Sequence, residues 1–496
     1  MVNLAFDLGA SSGRAIVGEL KNDKLEIFEI HRFPNDPVKL GDHFYWDILR
    51  LFYEIKEGLL QSKKKGYEIH TLGIDTWGLD FGLIDENGEL IGNPYHYRDK
   101  QSVGMVEKVC EIIPKSEIYG QTGIQFMNVN SLYHLYAMKC SNSTALKRAL
   151  TFLPIADILR YFLTGKKTAE VTITSTTQLY NSVENRWVTS IVERLGLPTD
   201  IFPKVIESGT IAGTLTPAIC SELQLQPVQV IAVGEHDTAS AVAAIPIMEK
   251  DFAYLSCGTW SLLGTELEEP IINEQALKMN FTNEKGVYNS YRLLKNIMGL
   301  WLIQECKQSW EKEGINLTYN GMTKLALEAE PFYAFVDPDD EVFLNPNNMP
   351  MQIQQFCQET NQPVPKTKGQ IIRCIIESLA LKYRFVLNDI EVLTGRRYQG
   401  LHIVGGGVKN ELLCQFTANA IARPVWAGPE EATAIGNILV QMIATGKIKD
   451  LQAGRDLVKK SFYVKTFEPL KTEKWEEAFK TFIKLLEKSK NCKVNK

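Results

Sequence analysis

The sequence predicts an α/β fold in two or more domains, on three observations. An apolar strand runs into a small-residue turn at Phe6-Asp7-Leu8-Gly9-Ala10-Ser11-Ser12, and the layout returns at Tyr254-Leu255-Ser256-Cys257-Gly258-Thr259-Trp260-Ser261, with Gly258 over Gly9. A late strand, Leu401-His402-Ile403-Val404, ends in Gly405-Gly406-Gly407 before a helix begins. Between the repeats, the apolar run Val228, Val230, Ile231 and Val233 delivers Gly234-Glu235-His236-Asp237 to an alanine-rich helix. Buried strands alternating with helices specify sheets with helical cover. A chain of 496 residues, 45% of them hydrophobic, can fill two or more cores.

Taken in order, residues 4–20 read as strand, tight turn and strand, and residues 47–62 as a core-facing helix (Leu49, Phe52, Ile55, Leu59) ending in lysines. Residues 72–85 read as a hairpin with Asp75, Thr76, Trp77 and Gly78 at the end of one strand, followed by the turn Glu86-Asn87-Gly88-Glu89. Tyr97-Arg98-Asp99 follows at a strand end. The pattern over 118–163 is largely helical, and the β-branched run Thr172–Thr177 reads as strand or loop. Residues 294–304 read as a loop entering a helix, with Asn296 near its start, and 369–395 as a long amphipathic helix. Gly428-Pro429-Glu430-Glu431 opens a second small-residue helix, and the remainder is helical and charged.

A net charge of −5 and a pI near 5.9 leave no basic stripe for nucleic acid. No run approaches the ~18 apolar residues of a membrane span, and the start lacks the basic and apolar regions of a secretory signal. The expectation is a soluble cytoplasmic protein without nucleic-acid or membrane partners. Nine scattered cysteines, odd in number and without metal-ligand spacing, suit a reducing compartment. Cys357 and Cys374 flank a loop and are placed to meet; they are read as reduced.

The chemistry concentrates in the turns. Gly9 to Gly13 leave backbone amides uncovered for an anion, with serine hydroxyls and Arg14 adding donors; the Lys-Ser/Thr ending of a Walker loop is missing. Asp7, one step before the turn, has the chemistry to hold a hydrated magnesium ion. Thr259 is the side-chain donor of the repeated turn, and the late glycines permit close approach of a flat ligand or its phosphate. Trp77 beside Gly78 offers a polyol a wall, or is simply core. Asn296 caps a helix or reads a hydroxyl. Asp237 fits a fixed base at a helix start, or an N-cap satisfying orphan donors. His236 fits sugar binding or a packed, backbone-bonded histidine.

Asp7-Leu8-Gly9-Ala10-Ser11-Ser12-Gly13-Arg14, Ile74-Asp75-Thr76-Trp77-Gly78-Leu79-Asp80-Phe81, His236-Asp237-Thr238-Ala239-Ser240-Ala241-Val242, Gly258-Thr259-Trp260-Ser261-Leu262, residues 294–302 and 402–407 together resemble the FGGY carbohydrate kinases across nearly the whole chain. The resemblance implies a two-lobed actin/Hsp70-like (ribonuclease H-like) fold with the active site in the interdomain cleft: an N-terminal domain over 1–243, an ATP-binding C-terminal domain over 244–460 and a helical segment over 461–496. It implies ATP and Mg2+ as cofactors, a ketose as partner, and phosphorylation of the C1 hydroxyl of L-rhamnulose; L-fuculose, xylulose or a non-catalytic sugar sensor are the alternatives. No oligomer is required. By position, Ala10, Ser11, Ser12, Gly13, Arg14, Thr259, Gln304 and Gly406 would contact ATP. Gly78, His236, Asp237, Thr238 and Asn296 would hold the ketose, with Asp237 as proton acceptor. Closure of the lobes would exclude water. Two departures stand out: Asp99 is followed by Lys100-Gln101 where many family members carry an arginine, and Glu235 precedes the His-Asp pair.

Overall fold

A computed structural model of the protein describes residues 1–494. Two compact units divide the chain: Met1–Lys250 with Glu266–Leu294 and Glu431–Phe462, and Asp251–Thr265 with Lys295–Glu430 and Tyr463–Lys496.

The first unit is organised by a sheet in the order Thr210–Thr214, Gln229–Ala232, Ile69–Thr76, Val2–Leu8, Ser12–Lys21, Lys24–Pro34. Its three central neighbours, 229–232, 69–76 and 2–8, run parallel, and the hairpins around them run antiparallel. Side chains alternate across the pleat. Phe6 faces helix Ile48–Lys64, where a Cβ on Gly58 would lie 2.6 Å from its ring. Gly73 faces the other way, toward Asn437 of helix Ala432–Ala444. Asp75, two residues on, shares that side. Asp47 caps helix Ile48–Lys64 by accepting from the amide of Arg50.

Several expectations shift. Ile69–Thr76 and Phe81–Ile84 form no hairpin; the second strand pairs with Thr151–Pro154 in a separate small sheet. Leu79, with φ of 78°, breaks the strand, and Trp77 and Asp80 turn into the interior. The run Thr172–Thr177 is helical, Val171–Thr174 and then a 3-10 turn, because Glu170 accepts from the amides of Thr172 and Ile173 at its head. A local cap overrides β-branched propensity there. Tyr97-Arg98-Asp99 ends no strand: Asp99 is buried, accepts from the amides of Phe44 and Gln101, and opens a 3-10 turn.

In the second unit the strand order is Trp260–Leu267, Ala253–Cys257, Leu401–Val404, Val425–Ala427, Lys465–Phe467. A hairpin again precedes parallel strands. Helix Lys368–Thr394 carries a capping box of Thr367 and Gln370 and stops at Gly395, whose φ is 66°. Cys357 and Cys374 are free and buried. The Cys357 thiol hydrogen-bonded beside it, together with burial, holds the Cys374 thiol well above its ordinary value. Among the described residues no helix is long and apolar enough to cross a membrane.

Candidate active site

Three carboxylates of the first unit meet because of strand order. Asp7 closes strand Val2–Leu8, Asp75 stands opposite it in the neighbouring parallel strand, and a parallel bridge joins Thr76 to His236, one residue before Asp237. Ligands bind at the carboxyl ends of parallel strands in open α/β sheets, and these three acids occupy such ends.

Asp237 is the first residue of helix Asp237–Ala243 and not its N-cap; His236 is the N-cap residue and makes no side-chain cap bond. Thr238 Oγ1 donates to Asp237 Oδ1 at 3.1 Å, and His236 Nε2 lies 3.5 Å from the same oxygen. The Asp237 side chain keeps 30% of its surface, so it is recessed and reachable. Burial and the charge of Asp7 raise its pKa, against the lowering influence of His236. This carboxylate is more avid for a proton than an ordinary aspartate.

Asp75 is fully buried and takes one hydrogen bond, from Asn437 Nδ2 to Oδ2 at 2.6 Å, while Oδ1 has no partner. Burial, then the neighbouring Asp7, pushes it well above the carboxylate range. Asp7 Oδ2 accepts from Arg14 Nη2 at 2.6 Å, and Arg14 Nη1 reaches Glu431. The Asp7 carboxylate has the oxygen chemistry that would hold a hydrated magnesium ion, whereas burial keeps Asp75 from adding a second charge beside it. Among the described residues no group of three or more ligating side chains makes a complete protein cage.

The turn of residues 9–11 is held by Gly9 N donating to Ser12 O at 2.9 Å and by Asn35, whose Nδ2 donates to Gly9 O at 2.8 Å and whose amide donates to Ser11 O at 3.2 Å. Ser11 is exposed, and Ala10 and Ser12 are half-buried. Gly13 is required by packing, since a Cβ there would sit 2.2 Å from the Phe33 ring. Gly78 lies under His236: its added Cβ would come 3.3 Å from Nε2 and 3.1 Å from Thr176 Oγ1. Trp77 belongs to the core, 4.1 Å centroid to centroid from Trp46, with its Nε1 donating to Asp80 Oδ2 at 2.8 Å.

The second unit assembles the other predicted residues. Gly258 N donates to Trp260 O at 2.8 Å, as Gly9 does to the first residue of its following strand. Thr259 Oγ1 donates to Gln304 Oε1 at 3.2 Å, which joins two predicted nucleotide contacts. The start of helix Trp301–Lys312 is laced to the turn: Gly299 N and Trp301 N donate to Thr259 O, and Leu300 N to Gly258 O. Gly299 permits this, because a Cβ would stand 2.4 Å from Ser261 Oγ. Asn296 lies inside strand Tyr291–Met298 and caps no helix; Leu300 holds the cap position without a side-chain bond. Gly405 adopts φ of 84°, and Gly406 is exposed with open space where a side chain would be.

Glu235 points away from Asp237. Its Oε1 accepts from Arg160 Nε at 2.6 Å, and Arg160 also binds Asp157. Glu170 Oε2 accepts from the amide of Glu235 at 3.3 Å, and Thr172 Oγ1 from that of His236 at 3.1 Å. Burial lifts Asp157 to about 6 and Glu170 to about 7. These side chains grip the backbone that leads into Asp237. Sequence reasoning missed Arg160, Glu170, Glu284 and Arg292; Asp157 and Arg160, three residues apart in an apolar helix, were the one local signal, and the other partners are far apart in the chain.

The family model for the N-terminal domain of the FGGY family of carbohydrate kinases matches residues 2–244, and that for its C-terminal domain matches 253–445. A rhamnulokinase of Bacteroides thetaiotaomicron is 44% identical over 488 residues, covering 98% of each chain. One of Bacillus subtilis is 40% identical over 469 residues, covering 95% of this chain and 96% of its own. The crystal structure of ligand-bound xylulose kinase from Lactobacillus acidophilus superposes with a TM-score of 0.79 at 15% identity, covering 98% of this chain and 97% of that one. Plasmodium falciparum glycerol kinase with ADP gives 0.76 at 16%, covering 98% of each.

Proposed function

The chain belongs to the FGGY family of carbohydrate kinases, and on that premise we propose that it transfers the γ-phosphoryl group of ATP to the C1 hydroxyl of L-rhamnulose. The substrate is supported by full-length relatives named rhamnulokinase. The chemistry is carried by one observation: a reachable carboxylate at a parallel strand's end, held by Thr238 and flanked by His236.

An alcohol is scarcely ionised at neutral pH, so attack needs an acceptor for its proton. Asp237 takes that proton as the C1 oxygen bonds to phosphorus and ADP departs. The transition state is loose, and the protein's task is alignment and charge stabilisation. Within the first unit, Ala10, Ser11, Ser12, Gly13 and Arg14 are assigned to the nucleotide; within the second, Thr259, Gln304 and Gly406 are. Gly78, His236 and Thr238 of the first unit are assigned to the ketose, and Asn296 of the second to a sugar hydroxyl. Magnesium, which Asp7 would hold through water, supplies positive charge to the phosphate oxygens. Thiols at every described cysteine suit a cytoplasmic enzyme.

Asp237→Asn keeps the donors around it and loses the proton acceptor. Its kcat is expected to fall by about 100-fold to 10,000-fold, while ketose affinity stays within about threefold. Coupled ADP release and calorimetric titration of the ketose measure the two; near-normal turnover removes Asp237 from this role.

A further inference from the structure

We propose that Arg292 and Glu284 are positioning residues that place the imidazole proton of His236 on Nε2, facing Asp237; the proposal rests on the kinase reading above. Glu284 and Arg292 stand directly opposite one another in the hairpin of Thr282–Lys285 and Tyr291–Met298. Both are buried, at 3% and 0% exposure. Arg292 Nη2 lies 3.0 Å from Glu284 Oε2 and 3.0 Å from His236 Nδ1. The contact to Glu284 is an ion pair, and the one that meets hydrogen-bond geometry runs to His236 Nδ1. Arg292 Nε donates to Lys285 O at 3.1 Å and fixes the guanidinium plane.

A guanidinium does not give up its protons, so Nδ1 of His236 accepts and the ring proton resides on Nε2. Glu284 Oε2, 3.2 Å from Nδ1, would by itself favour a proton on that nitrogen. The arginine decides against it by donating to Nδ1 while neutralising the Glu284 carboxylate as its ion-pair partner. Nε2–H then points toward Asp237 Oδ1, the oxygen that Thr238 Oγ1 also addresses. Thr238 Oγ1 donates to Oδ1 and the Nε2 proton lies beside that oxygen, which leaves Oδ2 to take the proton of the sugar hydroxyl. A neighbour that settles which nitrogen of a histidine is protonated governs what that ring can do next.

The test uses full-length protein labelled with [15N]histidine, with long-range proton–nitrogen correlation spectra and the His236 signal assigned through His236→Gln. A proton on Nε2 is expected in the unaltered protein. Replacing both partners, Arg292→Met with Glu284→Gln, avoids a lone buried charge. It is expected to mix the two tautomers and lower kcat about 10-fold to 100-fold, with KM changed less than about threefold. Arg292→Lys retains a donor and is expected to restore the Nε2 proton and most of the turnover. A proton on Nδ1 in the unaltered protein overturns the proposal. So does a paired variant that keeps the tautomer or the turnover. If the paired variant does not fold, the unaltered protein and Arg292→Lys still decide it. The proton position is read without substrate. A silent ketose assay with Nε2–H in place therefore counts against the kinase reading alone.

Discussion

Asp80 and Asp237 are both recessed carboxyls, and their surroundings set them different tasks. Asp80 Oδ2 accepts from Trp46 Nε1 at 2.5 Å, Trp77 Nε1 at 2.8 Å and the amide of Tyr97 at 3.3 Å, with burial lifting it to about 7. Indole and amide donors offset part of the cost of an interior charge but supply no cation. The unfolded aspartate loses its proton near 3.9, so between that pH and 7 the folded state holds a proton that the unfolded state lacks. The contribution is therefore fully present below the unfolded pKa and lost as pH rises to about 7. Asp80→Asn removes this dependence. Its stability relative to the unaltered protein is expected to grow by about 1.4 kcal/mol per pH unit from pH 5 to 7 and then level off, measured by urea unfolding at pH 5, 6, 7 and 8. A difference that does not change with pH contradicts the assignment. For Asp237 the raised pKa acts on rate: protonation removes the base, so kcat/KM is expected to fall on the acid side above the pH at which an ordinary aspartate titrates.

Two small-residue helices explain how that base is held. Helix Asp237–Ala243 packs on Ala432–Ala444, and a Cβ at Gly436 would lie 1.7 Å from Ser240 O. The small residues of both helices, Ala239, Ser240 and Ala241 in one and Ala432, Ala434 and Gly436 in the other, read as this close approach. Gly436→Ala is expected to force the short helix outward, with a stability loss of about 1 to 3 kcal/mol and a drop in kcat larger than the change in nucleotide affinity. Urea unfolding and single-turnover kinetics check it; unchanged stability means the helices separate freely. The network of Arg160, Asp157, Glu235 and Glu170 performs the same service for the backbone before Asp237. Glu235, singled out as a departure from the family pattern, thus supports the loop from behind and does not touch the base.

Across the whole molecule, the same strand-turn-strand unit occurs in each half, with a glycine amide closing each turn. Sequence patterning made both turns legible, since an apolar run meeting Gly-Ala-Ser or Gly-Thr has few other solutions. Ketose choice was less legible, because apolar contacts in a sugar pocket separate related substrates by only about 1 to 3 kcal/mol each. L-Rhamnulose is expected to exceed L-fuculose and xylulose in kcat/KM by about 10-fold to 200-fold, tested by coupled ADP release across the three. A higher value for either rival reassigns the substrate and leaves Asp237 in place.

The sequence alone determined the family, the α/β class, the long amphipathic helix over 369–395 and the turns with Asp7 and Asp237, because these depend on local spacing and short-range patterning. Tertiary structure decided the rest. Thr172–Thr177 became helical through Glu170, Asn296 fell inside a strand, and Trp77 joined the core. Partners remote in the chain, Asn437 at Asp75 and Arg292 at His236, are invisible to any window of sequence. Electrostatics acts through space, so which charges neutralise one another is known only once the chain has brought them together.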